Sequence, residues 1–194
     1  MGVYVRMSNL DVLWAGWRSD YVSGVASDQY ANDVSGADDI VVSGKERVGE
    51  HRRCVMCALA AVDTPSVQNG VVWHSELVTV ALNAYPYSSG HLLVLPNRHT
   101  DDLTTLKGDE PVQLFKAFVD AMTAIDRAYH PEAVNFGANL GRFAGAGIPE
   151  HLHFHIVPRW AGDTNFMTAI ANTRVIPESL EVSWEKLSGA WPLS

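Results

Sequence analysis

Three histidines stand at every second position in His151-Leu152-His153-Phe154-His155, which continues into Ile156-Val157-Pro158-Arg159. The alternation predicts a strand over His151 to Pro158, with three imidazoles on one face and Leu152, Phe154 and Ile156 on the other. Three imidazoles in a row serve no packing purpose, because each needs hydrogen-bond partners once covered. Two chemistries suit them. Alternate strand residues can ligate one metal ion, and a catalytic zinc then requires a further ligand and an open position for water. In the other, a neutral imidazole attacks phosphorus. Histidine, with a reference pKa of ~6.5, is largely unprotonated at neutral pH and is readily displaced again from the phosphoramidate it forms. The run Gly141-Arg142-Phe143-Ala144-Gly145-Ala146-Gly147, just before the histidines, favours attack on phosphorus. Backbone N–H groups of such small residues can approach phosphate oxygens. Asn83 and Asn139, at the ends of predicted strands, are candidates for ribose hydroxyls and equally ordinary turn residues. His91 either lies near a bound nucleotide or makes a structural hydrogen bond. Arg159 either supports substrate charge or closes the strand end. Cys54 and Cys57 are spaced C-x-x-C, which in a reducing compartment suggests metal or redox chemistry over a structural disulfide.

The elements that must position these residues are legible from periodicity. Gly70 to His74 and Leu77 to Asn83 read as strands around a Ser75-Glu76 turn, a hairpin. A further short strand covers His91 to Pro96. Between Gly108 and His130 the period changes: Leu114, Phe115, Phe118, Val119, Met122 and Ile125 recur at helical spacing, with Asp109 as N-cap and Pro111 in the first turn. Glu132 to Leu140 is another strand, and Cys54 to Ala61 begins a short helix. A strand meander with one long helix is an α+β fold built on an antiparallel sheet. Residues 8–21 hold an aromatic cluster with Trp14 and Trp17, which, like Trp160, read as packing anchors. Residues 22–50, rich in Ser, Gly, Asp and Val, read as an irregular stretch within an N-terminal extension over 1–50.

At 194 residues, 47% hydrophobic and 19% charged, the chain suits one globular domain over 1–194. A formal net charge of −8 argues against broad binding to nucleic acid or anionic membrane, though not against a small anionic substrate at a local site. No apolar run approaches the ~20 residues of a spanning helix, and no secretory signal is visible, so the expected location is the cytoplasm.

The histidine segment resembles the signature of the histidine-triad (HIT) family, His-φ-His-φ-His-φ-φ with φ apolar, at all seven positions from His151 to Val157. Leu13-Trp14-Ala15-Gly16-Trp17-Arg18, Cys54-Val55-Met56-Cys57, Leu82 to Tyr87, Gly90-His91-Leu92, Pro96 to His99, Asn135 to Gly141, Gly162 to Phe166 and Val175 to Glu178 are similar to a bacterial branch that includes actinobacterial diadenosine tetraphosphate phosphorylases. The likeness runs over about residues 10–180 and leaves 22–50 unmatched. It implies His153 as the nucleophile that forms a nucleotidyl-histidine at the α-phosphate. His155 would contact the phosphate and bridging oxygen, helping the leaving group depart, and His151 would orient the site or ligate metal. Asn83 would bind ribose, and Asn139 with Gly145, Ala146 and Gly147 the phosphates. Many relatives carry Gln and Ser or Thr where Gly147 and Ile148 stand here, which shifts phosphate binding toward backbone N–H groups. Zinc-bearing relatives combine a C-x-x-C with two histidines, so the resemblance implies a structural zinc on Cys54, Cys57, His99 and His151 that ties the N-terminal helix to the catalytic strand. It also implies a homodimer or larger assembly, with the sheet joined across the dimer. The expected reaction is cleavage of a dinucleoside polyphosphate such as diadenosine tetraphosphate, with phosphate or water as acceptor. Alternatives are a nucleotide phosphoramidate hydrolase, a low-turnover nucleotide-binding module and, less favoured, a metal-dependent hydrolase.

Overall fold

The computed structural model describes residues 54–163 and 176–192, all within one compact unit, Ala37–Ser194. The expected aromatic cluster at 8–21, with Trp14 and Trp17, and the irregular stretch 22–50 lie outside the described residues. The chain runs through α1 (Val55–Ala60), β1 (Val71–His74), β2 (Val78–Leu82), β3 (Leu92–Pro96), α2 (Glu110–Tyr129), β4 (Ala133–Gly137), β5 (Phe154–Arg159) and α3 (Leu180–Ala190). Short 3-10 turns occupy Leu103–Thr105 and Arg142–Ala144. The α+β expectation holds. One sheet of five strands runs in the order β1-β2-β3-β5-β4, each neighbouring pair antiparallel.

The β1–β2 hairpin is closed by Ser75, whose amide donates to the Val78 carbonyl (2.9 Å) while its hydroxyl accepts from the Val78 amide (3.1 Å). Strands β2 and β3 are buried along their whole length because both faces of the sheet are covered. On one face Val78, Val80, Leu82, Leu92, Val94 and Ile156 pack with Leu114, Ala117, Ala121, Ala124 and Ile125 of α2. Small alanines at three- and four-residue spacing let the helix lie close on the strands. On the other face Leu93 and Leu95 pack with Cys54, Met56, Cys57 and Ile148, which seats α1 beside the histidines. Helix α3 contributes Leu187 to the larger core, and the Trp184 indole donates to the Val71 carbonyl (2.7 Å).

Pro111 sits in the first turn of α2 as expected, but Asp109 precedes the helix without a side-chain capping bond. The carboxylate of Glu110 organises this end. It accepts both Arg98 Nε and Nη2 at 2.8 Å and the Lys107 amide at 2.9 Å, and Arg98 donates also to the Thr105 carbonyl. The Arg98 guanidinium holds the Glu110 carboxyl down at about 2. Its ordinary value is 4.5, so the stability it contributes is present above that pH and is lost as pH falls toward about 2. Replacing Glu110 with alanine should cost about 1–2 kcal/mol at pH 7, partial solvation of Arg98 limiting the loss. Thermal melts should show the gap from wild type narrowing between pH 5 and pH 2.5, taken as round pH values on either side of about 4; a pH-independent gap refutes this account.

Gly90, just before β3, adopts φ +74 against the ring of Tyr129, where an added Cβ would stand 2.6 Å from Tyr129 Cε2. The Tyr129 hydroxyl donates to Glu178, which also accepts from Ser183 Oγ (2.7 Å) and Lys186 Nζ (2.5 Å).

One expectation is corrected. Strand β5 begins at Phe154, so His151 and His153 precede it and do not share a strand face with His155. The cause lies on β3. Its pairing with β5 ends at Val94–Phe154. Two residues further on, Pro96 has no N–H to donate, and its carbonyl is taken by the His151 imidazole at 2.9 Å. The Leu152 amide turns instead to the Thr100 carbonyl (2.6 Å).

Candidate active site and metal centre

Cys54 stands at the N-terminal edge of α1 and Cys57 lies within its first turn, so three-residue helical spacing aims both thiols the same way. His99 follows β3, and His151 follows the loop that leaves β4. Cys57 Sγ is 3.1 Å from His99 Nδ1 and 3.5 Å from His151 Nδ1, and Cys54 Sγ is 3.4 Å from His151 Nδ1. The four donor atoms lie within 4.8 Å of one another. Bonds of about 2.0–2.3 Å to one tetrahedral ion put donors about 3.3–3.8 Å apart, so this group needs little adjustment to hold zinc. The His151 Nε2–H donates to the Pro96 carbonyl, which leaves the Nδ1 lone pair facing the cysteines, the second-sphere arrangement that fixes a metal-binding tautomer. Burial pushes the His151 imidazole below its ordinary pKa, toward the neutral form a ligand requires.

The carbonyl of the same residue orients the next histidine. His153 Nδ1–H donates to His151 O at 2.7 Å, so the Nε2 of His153 carries the lone pair. His155 is ordered from the opposite side. The Tyr87 amide donates to His91 Nδ1 at 3.0 Å, which places the His91 proton on Nε2. That proton is donated to His155 Nδ1, also at 3.0 Å. His155 therefore carries its own proton on Nε2. Burial first, and the nearby His153 second, hold its pKa down at about 4, so it is neutral at pH 7. The His153 and His155 rings meet edge to face with centroids 5.1 Å apart. One imidazole thus offers an electron pair while its neighbour offers a hydrogen. Together they suit displacement at phosphorus.

The other candidate residues fall into place unevenly. His91 is fully buried, with each ring nitrogen in the bonds just described. Asn83 Oδ1 accepts from the Tyr85 amide (2.9 Å), which turns its amide nitrogen toward the His91 ring at 3.4 Å. Strand β4 pairs Gly137 with His155. Asn139 lies two residues beyond the end of β4 and is half-buried. The glycine-rich run contains the 3-10 turn Arg142–Ala144, closed by Gly145 at φ 84, with Phe143 fully exposed at its crest. Beyond it Ala146 is buried, Gly147 is exposed and Ile148 packs on the Leu93–Leu95 cluster. Arg159 pairs with both carboxylate oxygens of Asp163 (2.5 and 2.8 Å) and donates to Asn135 Oδ1 (2.9 Å). Trp160 packs edge-on against Tyr129, as expected of an anchor. Tyr87 was not singled out from the sequence. Nothing in its type or spacing shows that its ring stacks on His155, and only the folded β2–β3 connection reveals it.

The model of the HIT domain matches residues 64–162, about half of the chain. An AP-4-A phosphorylase of Mycobacterium tuberculosis is 41% identical over 121 residues, which cover 62% of this chain and 62% of that protein. The match therefore spans less than two thirds of the relative's own length. A Zn-bound histidine triad family protein from Mycobacterium smegmatis superposes with a TM-score of 0.56 at 28% identity, covering 71% of this chain and 92% of that one. A hypothetical histidine triad nucleotide-binding protein from Sulfolobus tokodaii does so with a TM-score of 0.57 at 27% identity, covering 71% and 91%. Seen with the paired imidazoles of His153 and His155, the match shows that this chain belongs to the HIT domain family.

Proposed function

We propose that this chain transfers a nucleotidyl group from a dinucleoside polyphosphate, through a covalent link to His153 Nε2, onto inorganic phosphate. The observation that carries the reading is the hydrogen-bond order at the site, with a lone pair on His153 and a proton on His155 Nε2. His153 Nε2 bonds to the α-phosphorus while the bond to the bridging oxygen breaks. The remaining nucleoside polyphosphate departs with a hydrogen bond from His155. An oxygen of phosphate then displaces the imidazole and yields a nucleoside diphosphate; water in its place would yield a monophosphate. Backbone N–H groups around Gly145, Ala146 and Gly147, with Asn139, hold the equatorial oxygens, and Asn83 faces the ribose. The name of the M. tuberculosis relative supports both the diadenosine tetraphosphate class of substrate and phosphate as acceptor.

A neutral His155 separates this from phosphoramidate hydrolysis. Its Nδ1 already accepts from His91, so surrendering the Nε2 proton would leave an imidazolate. A polyphosphate departs with a hydrogen bond alone, whereas an amine must take a full proton. A metal-dependent hydrolase is disfavoured as well, because Cys54, Cys57, His99 and His151 form a closed set of four with no position for water. Zinc held there would stabilise the fold and fix the main chain of His151. To test the reaction, diadenosine tetraphosphate is incubated with and without inorganic phosphate and the nucleotides are quantified. ADP and ATP appearing with phosphate support the reading. AMP and ATP under both conditions make the enzyme a hydrolase, and no turnover under either rejects it.

A homodimer is part of the proposal. Val112, Phe115, Val119 and Met122 form one exposed apolar stripe on α2, and Phe136 lies exposed on the edge strand β4. Phe118 joins the two surfaces, its ring 6.1 Å from that of Phe136. An apolar stripe beside an unpaired sheet edge suits a second copy of the same surface. Sedimentation should therefore give twice the chain mass for wild type and a monomer for Phe115→Glu; a variant that keeps the dimer mass removes this face from the interface.

A further inference from the structure

We propose that Tyr87 is a positioning residue for the transfer reaction, holding His155, through His91, in the one tautomer that points a hydrogen at the departing oxygen. The inference rests on the nucleotidyl-transfer reading above and extends it to a residue that touches neither phosphorus nor the leaving group. A hydroxyl beside His91 would allow either proton order, and a carboxylate, which only accepts, would impose the opposite one. A backbone amide can only donate. With the Tyr87 N–H 3.0 Å from His91 Nδ1, one solution is left along the chain from Tyr87 to His91 to His155. The ring of the same residue covers the relay. It lies nearly parallel to the His155 ring, at 12° and 5.9 Å between centroids, and against the His91 ring at 4.7 Å.

The surrounding chain keeps that amide in place. Ser88 Oγ donates to the Pro158 carbonyl of β5 at 2.7 Å, tying the residue after Tyr87 to the strand that carries His155. Asn83 fixes the start of the connection through the Tyr85 amide, and Gly90 fixes its end against Tyr129. Without the ring, water reaches both imidazoles and competes for Nδ1 of His155, so the proton is no longer held on one nitrogen. The cost falls on breaking the bond to the leaving oxygen rather than on binding.

Three enzymes, wild type, Tyr87→Phe and Tyr87→Ala, provide the test. Nitrogen NMR of the histidine rings should show His155 as the Nε2–H tautomer in wild type and Tyr87→Phe, and as a mixture in Tyr87→Ala. For a series of adenosine phosphoanhydrides and phosphoesters whose leaving groups differ in acidity, kcat of Tyr87→Ala should fall about 10- to 100-fold with the most basic leaving groups and much less with the most acidic, KM changing little. Tyr87→Phe should restore the wild-type dependence. An unchanged tautomer in Tyr87→Ala, or a loss of rate equal across the series, overturns the proposal. Absence of any covalent His153 adduct in wild type overturns the transfer reading instead, and the resting tautomer of His155 reports on Tyr87 in either case.

Discussion

Alanine at position 153 should abolish turnover while the protein still binds nucleotide. On the proposed mechanism the imidazole of His153 supplies the attacking electron pair, and its Nδ1–H is already committed to the His151 carbonyl. Its neighbour cannot take its place, because His155 presents a hydrogen where an electron pair is needed. Loss of a nucleophile in a preorganised site costs about 10⁴-fold or more in kcat, the surviving rate reflecting binding and the remaining hydrogen bonds. Affinity for a mononucleotide should change only a few-fold, since the phosphate and ribose contacts proposed above fall to other residues. Rapid quench of wild type with diadenosine tetraphosphate should trap one nucleotide on the peptide that contains His153, and none on the variant. Turnover by His153→Ala at the wild-type rate would remove the nucleophile assignment altogether.

Stripping metal from Cys54, Cys57, His99 and His151 should have the second largest effect, on stability. The four residues come from α1, the end of β3 and the start of the histidine segment, so one ion would join three parts of the fold. At a free concentration a thousand times its dissociation constant, a ligand of the native state alone contributes about 4 kcal/mol, or about 8–16 °C for a chain of this size. Chelation should lower the melting temperature by that order, zinc should restore it, and Cys57→Ser should abolish the response. The rate should fall as well, because the carbonyl that holds the His153 proton belongs to a residue whose side chain faces the cluster. Protein that carries no zinc by elemental analysis, and melts identically with and without chelator, would refute this centre.

Much of this was legible in the chain, and the gaps have physical causes. Period carried α2, since Leu114, Phe118 and Ile125 pack in or against one core, although Phe115, Val119 and Met122, read from the same spacing, lie exposed and the buried positions between are alanines. The C-x-x-C suggested metal or redox chemistry by type and spacing, the family resemblance added His99 and His151, and the fold brings the four donor atoms together. Alternation failed at the start of β5. His151 and His153 follow the pattern of a strand, yet a proline on the neighbouring strand ends the ladder and side chains take over its carbonyl. The proton order at His91 and His155 was out of reach, since it depends on the main-chain N–H of Tyr87, a group every residue except proline has, and on a ring that only the fold lays over both imidazoles.

The glycine before His91 links the far end of the chain to the chemistry. The turn it forms leans on Tyr129, which is buttressed in turn by the Glu178 carboxylate just ahead of the C-terminal helix and by the Lys186 ammonium within it. Shortening the protein at its tail would therefore be felt as a loosened hinge beside the imidazoles, with every reacting group still present. On the proposed mechanism, catalytic precision would depend on a keystone set well outside the arch it locks.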